Sequence, residues 1–218
     1  MGVLGRGALF RRKASLFLVV TLPMAMACQG ESDEILPEDA EGVVSLAEPV
    51  AAELLRTLVG GLTSAMEEGG ATHAIGFCAN EAMPLTRGVE TGLAGGWELK
   101  RTSFRVRNPM NAPDEAEEEA LLYFEERILA QGEAPANLVQ RVSDSEYRYY
   151  RPLFIADVCV RCHGEVDQLE AEVRTALTQL YPEDLATGYV PGDFRGLVRV
   201  SVPAASLEDG PGREGGLR

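Results

Sequence analysis

The sequence predicts an α+β fold, and three observations carry that prediction. Helical and strand-like stretches are mixed without the regular βαβ rhythm of a parallel sheet. The helices show apolar residues at three- and four-residue spacing, and the strands show aromatic and β-branched runs. A length of 218 residues with 45% apolar content is enough to close one core.

The elements are read in order. After Pro49, Leu55, Val59, Leu62 and Met66 fall on one helical stripe, which Gly69-Gly70 ends. A short helix is expected over residues 74–82, stopped by Pro84. Gly88, Gly92, Gly95 and Gly96 mark a loop, and residues 97–106 form a strand of poor alternation. Pro113 opens a helix whose first turns hold Asp114, Glu115 and Glu117 to Glu119, as the helix dipole favours. Leu121, Phe124 and Ile128 turn that helix inward, and Gly132 closes it. Residues 146–155, rich in Tyr, read as a strand. Leu169, Val173, Ala176 and Leu180 form a helix that ends at Tyr181-Pro182. Residues 196–202 read as a strand with Val198, Val200 and Val202 on one face.

Charge narrows the function classes. The first 27 residues hold four cations, Arg6, Arg11, Arg12 and Lys13, and no acid, so removing them takes the net charge from −14 to −18. A surface of that sign repels phosphates, which sets nucleic acid aside as a partner. It also offers no basic patch for anionic lipid.

The same four cations form the positive start of an export signal, and Ala14 to Met26 is almost free of polar groups. At roughly a dozen residues this run is too short for a comfortable permanent span. Ala27-Cys28 followed by Gln29-Gly30-Glu31 resembles a bacterial lipoprotein signal, in which the Cys becomes the lipidated N-terminus. The resulting division is a signal over 1–27, an acidic tether over 28–46, a domain over 47–205 and a loose tail over 206–218. The protein is thus expected in the periplasm or on the cell surface, touching membrane only through an anchor at Cys28.

The chemistry is concentrated in Cys159-Val160-Arg161-Cys162-His163. Cys-x-x-Cys-His is the attachment sequence of a c-type haem. Two thiols about one turn apart add across the two porphyrin vinyl groups, and the His that follows ligates the iron. By chance the pattern occurs on the order of once in a thousand chains of this length. A redox dithiol does not need His163, and no second Cys pair completes a zinc site. One motif implies one covalent haem c.

The sixth ligand must come from elsewhere or remain open. With Cys159 and Cys162 taken and Cys28 at the signal boundary, Cys78 is an odd thiol, which an oxidising compartment makes unusual. It is either a small buried hydrophobe or an iron ligand. His73 is the competitor, and Met66, Met83 and Met110 are further options. Five residues apart on a helix, His73 and Cys78 point about 140° away from each other, so both cannot aim at one iron. Composition alone leans to His73.

Several longer stretches bear on the choice. They are residues 74–78 (Ala-Ile-Gly-Phe-Cys), residues 105–114 (Arg-Val-Arg-Asn-Pro-Met-Asn-Ala-Pro-Asp), Tyr150-Arg151-Pro152-Leu153 ahead of the Cys motif, Tyr181-Pro182, residues 186–189 and residues 192–196. Together, over about residues 47–204, they resemble the single-haem c-type cytochrome domain family with a PAS-like fold, first characterised structurally from a cyanobacterium. The resemblance implies a PAS-like antiparallel sheet flanked by helices. It also implies iron held by His163 and Cys78, which reverses the lean to His73. Residues 107–109 then either position the haem or form a rigid turn.

Thiolate ligation implies a low potential, because reduction leaves the buried centre with net negative charge. The expected role is an electron carrier, or a redox- or gas-sensing module working through a separate redox partner. The alternative is a peroxidase-type haem enzyme, which needs an open iron position and a polar distal group. Cys78 on the iron removes the first, so a non-enzymatic role is expected.

Overall fold

In the computed structural model, residues 39–93 and 95–208 are described. The signal segment, Cys28, the acidic stretch up to residue 38 and the tail beyond Glu208 lie outside the described residues. The chain runs through α1 (Ala40–Asn80), α2 (Ala82–Thr91), β1 (Glu98–Thr102), a 3-10 turn (Pro109–Asn111), α3 (Glu115–Gln131), β2 (Leu138–Ser143), β3 (Glu146–Phe154), α4 (Val160–His163), α5 (Ala171–Leu180), β4 (Phe194–Pro203) and α6 (Ala205–Glu208). The fold class is α+β, as the sequence predicts. The four strands form one antiparallel sheet in the order β1-β4-β3-β2.

Helix α1 covers one face of the sheet. Val43, Ala47, Ala51, Leu54 and Leu58 pack against Leu99, Tyr147, Tyr149, Val198, Val200 and Val202. This corrects the sequence reading in two ways. Residues 40–46, assigned to the tether, are helical, and Val43 is fully buried within the core. The stripe is also displaced from the expected one, because Val59 is 56% exposed while Leu54 and Leu58 are buried. The alanines at 47 and 51 explain the shift: they let the helix lie close on the sheet, and a reading weighted to large side chains passes over them. Pro49 lies inside α1 rather than before it. A proline there costs about 3 kcal/mol or more, and burial of large side chains such as Leu54 and Leu58, at about 1.5–3 kcal/mol each, offsets it.

The expected break at Gly69-Gly70 is present. Gly70 takes φ 70° and ψ −165°, a conformation open essentially to glycine alone, and the helix then resumes to Asn80. Pro84 does not stop a helix as expected. It sits in the first turn of α2, where its missing N–H has no helical partner to lose. Gly88 likewise lies inside α2 rather than in a loop.

Helix α3 covers the opposite face, where Ala120, Leu121 and Phe124 meet Leu138, Tyr150 and Leu197. Its start is a capping box: Asp114 accepts from the Glu117 N–H, and the Glu117 carboxylate accepts from the Asp114 N–H. The Glu117 carboxylate is fully buried; it accepts from Lys100 Nζ at 2.6 Å and lies 3.0 Å from Arg199 Nε. Gly132, at φ 78°, ends the helix as expected.

Strand β4 is central, and both its faces are buried. Val198, Val200 and Val202 face α1 as expected, and Leu197, Arg199 and Ser201 are buried on the other side. Strand β2 was not anticipated, and β1 is shorter than residues 97–106. In α5 the buried positions are Val173 and Leu177, while Leu180 is 44% exposed.

Candidate functional site

Helix α4 is a single turn, with Cys159 at its N-cap. The Cys162 and His163 N–H groups donate to the Cys159 carbonyl at 3.1 and 2.9 Å, so the two thiols stand one turn apart. Gly164 follows because nothing larger fits: a Cβ there would meet the Val160 carbonyl oxygen at 2.6 Å. Residues 186–189, which follow α5, return alongside this turn. Gly188 and Tyr189 donate their N–H groups to the carbonyls of Gly164 and His163 at 2.8 and 3.0 Å.

This strap orients His163. The Nδ1 atom lies 2.6 Å from the Ala186 carbonyl, an acceptor only, so Nδ1 carries the proton and Nε2 keeps its lone pair, which faces Arg107 Nη1. Burial and the guanidinium groups of Arg107 and Arg195 push the imidazole down to about 3, so it is neutral at ordinary pH. A neutral imidazole held through Nδ1 by a backbone carbonyl is the usual form of a metal-binding histidine.

His163 lines a cavity of about 200 Å³. Cys78 from α1, Arg101 from β1, Arg107, Leu153, Tyr181 and Arg195 line it too. Burial pushes the Cys78 thiol up, and the charges of Arg101 and Arg107 oppose this. The Cys162 thiol is raised in the same way, chiefly by burial. Tyr181 is pushed up to about 12 by burial and by Cys78.

Arg107 ties the site together. Its Nη2 donates to the Cys162 carbonyl at 2.6 Å and to the Ala186 carbonyl at 3.1 Å. Its Nε donates to Asp184 Oδ2 at 3.0 Å, and its Nη1 stands 3.5 Å from His163 Nε2. The next residue, Asn108, accepts from the Met110 N–H and caps the 3-10 turn. Asn108-Pro109 thus form the rigid turn that the sequence offered as one reading, and Arg107 holds the Cys162-His163 turn against residues 184–186. Arg105 donates to the Leu185 carbonyl and lies 4.0 Å over the Tyr189 ring.

The structure brings together Cys78, Cys162 and His163, and Cys159 lies on the same turn. It sets His73 apart: that side chain is 55% exposed and stands 3.5 Å from Glu68. Met66 packs with the α5 cluster, and Met110 is 68% exposed. Among the described residues lining the cavity there is no methionine and no second histidine. Sequence reasoning missed Arg101, Arg195 and Tyr181 as cavity residues. Their distance in sequence from the Cys motif left no local signal, although Tyr181 and Arg195 fall in stretches already singled out.

The model of a protein family described as Tll0287-like matches residues 34–203. The chain belongs to the Tll0287-like family. Among solved structures, it is similar to the crystal structure of the cyanobacterial haem protein Tll0287, with 26% identity and a TM-score of 0.53. That match covers 77% of this chain and 96% of the other. No curated protein matches it. The resemblance read from the sequence is thus a family membership, and the Tll0287-like match reaches upstream of residue 47 to include the start of α1.

Proposed function

We propose that this protein is an exported carrier of one covalent haem c, with iron held between His163 and Cys78, acting as an electron carrier or as a redox- or gas-sensing module. One observation carries the reading: a neutral, carbonyl-tethered imidazole and a desolvated thiol from a distant helix line the same cavity, beside a turn that holds two more thiols. This donor set fits a c-type haem. Its kinship with a haem protein supports the same conclusion.

Bound here, the haem would supply one-electron exchange between ferric and ferrous iron. The chain's residues would do the rest. Cys159 and Cys162 would add their S–H groups across the two vinyls. His163 would present Nε2, with Ala186 fixing the ring. Cys78 would supply a thiolate, whose negative charge opposes reduction and lowers the potential. Arg101 and Arg107 limit that effect, because their charge stabilises the thiolate. The α1 and α5 packing around Cys162 excludes water from this side of the site.

Export and an anchor at Cys28 belong to the same proposal, supported by the cationic and apolar pattern of residues 1–27. The mass of the mature chain tests both, through loss of those residues and a lipid adduct on Cys28.

The test of ligation uses protein made in a host with cytochrome c maturation machinery. Ferric absorption and EPR spectra are taken for the unaltered chain, Cys78→Ser and His73→Ala. A low-spin thiolate signal lost in Cys78→Ser and kept in His73→Ala is the expected result. A spectrum changed by His73→Ala alone overturns the Cys78 assignment. High-spin resting iron with peroxide turnover makes the protein an enzyme instead. Carbon monoxide binding to the ferrous form, measured against the midpoint potential, separates sensor from carrier.

A further inference from the structure

The cavity holds more positive charge than its own side chains balance. Of the three arginines on its wall, Arg107 is paired with Asp184 at 3.0 Å. Among the described residues, no carboxylate lies within ion-pair distance of Arg101 or Arg195. Arg195 donates to the Ser103 hydroxyl at 2.7 Å and lies 5.4 Å from the Tyr189 ring, both neutral groups. Arg101 is desolvated by burial, and the acidic groups that act on it are the Cys78 thiol and the Tyr181 hydroxyl, both kept protonated by burial. Two half-buried guanidinium groups with no carboxylate of their own in ion-pair contact are costly unless a ligand supplies the charge.

We propose, resting on the haem reading above, that Arg101 and Arg195 bind the two haem propionates. The charges close. Ferric iron, a porphyrin dianion and a Cys78 thiolate sum to zero, which leaves the two propionate carboxylates against the two unpaired guanidiniums. Thioether attachment consumes the vinyls and leaves the propionates free. The two arginines come from neighbouring strands of the sheet, β1 and β4, while the thiols come from α4, so the sheet grips one part of the porphyrin and the Cys turn another. The planar guanidinium suits bidentate recognition of a carboxylate.

The experiment uses holoprotein of the unaltered chain and of Arg101→Gln, Arg195→Gln and Arg101→Lys. Haem content by mass and the ferric EPR signal are read first, and then the propionate bending bands in the resonance Raman spectrum. Each Gln variant should move one propionate band to lower frequency, with the porphyrin marker bands and the thiolate signal unchanged. Arg101→Lys keeps the charge and should move its band less than Arg101→Gln, which separates lost pairing from a folding defect. Propionate bands that stay in place in both Gln variants overturn this assignment while leaving the haem reading intact. If the unaltered chain carries no haem by mass, the haem reading itself fails, and this inference with it.

Discussion

Replacing Arg107 with alanine removes one side chain that joins three segments of the site. Asp184, 10% exposed, is left as a buried carboxylate without its cation, and the carbonyls of Cys162 and Ala186 lose a charged donor. Breaking one side of a buried ion pair costs about 3–5 kcal/mol. The lost carbonyl bonds overlap with that figure rather than adding to it, so about 4 kcal/mol is the expected loss. With a urea slope of about 2 kcal/mol per molar, the unfolding midpoint should fall by about 2 M. Far-UV circular dichroism under urea measures it. The decisive form is a double-mutant cycle. If the cost arises from an orphaned charge, Arg107→Ala/Asp184→Ala should be less destabilised than the sum of the two single variants by about 1–3 kcal/mol. Additivity within about 0.5 kcal/mol would refute the reasoning, and Arg107 would then act by packing alone.

Three further predictions follow from the framework around the site. Glu117→Ala leaves Lys100 and Arg199 facing each other across an emptied buried site, and should cost about 3–5 kcal/mol in the same urea assay; a loss under 1 kcal/mol would show the network to be dispensable. Gly196→Ala places a Cβ 2.2 Å from the Thr102 carbonyl oxygen at φ 141°, so backbone strain alone should cost about 1–3 kcal/mol, and amide exchange across the β1–β4 pairing should quicken; unchanged protection would contradict the close approach. At Asp114 and Glu146, burial raises the pKa, but hydrogen bonds and the Arg148 charge outweigh it and hold both carboxyls below their usual values of 3.8 and 4.5. Depressed carboxyls stabilise the fold above their unfolded pKa values, and that contribution is lost as pH falls through the folded values. Melting temperature should therefore drop below about pH 4.5, and Arg148→Gln should flatten that acid limb; parallel limbs would remove Arg148 from the account.

Much of the frame was legible because its signals are local. The acidic first turn of α3, its Gly132 stop, the break at Gly69-Gly70 and the valines of β4 are each written in neighbouring residues. What escaped depends on contacts between distant segments. The start of α1 reads as an acidic tether until Val43 and Ala47 are seen against the sheet. Pro49 and Pro84 read as boundaries because their cost is local and its compensation is tertiary. In the site, the Cys turn was legible from one pentapeptide. Arg101 and Arg195 were not, because a lone arginine on a strand signals nothing until the cavity wall is assembled.

The choice between His73 and Cys78 shows how far register can go. Both lie on the arm of α1 after the Gly69-Gly70 break, pointing about 140° apart. The buried side of that arm carries Ala71, Ala74 and Ile75, and Ala71 and Ile75 pack on Leu169, Val173 and Leu177 of the α5 region. Cys78 stands three residues after Ile75 and four after Ala74, so it continues that stripe, whereas His73 is off it and pairs with Glu68 at the surface. Ala71, Ala74, Ile75 and Cys78 follow an i, i+3, i+4, i+7 pattern that the sequence already contains. Its small residues kept it from standing out beside larger apolar side chains, as the alanines at 47 and 51 did earlier in the same helix. With alanine counted as an inward-facing helix residue, the sequence pattern alone places Cys78 inside and His73 outside.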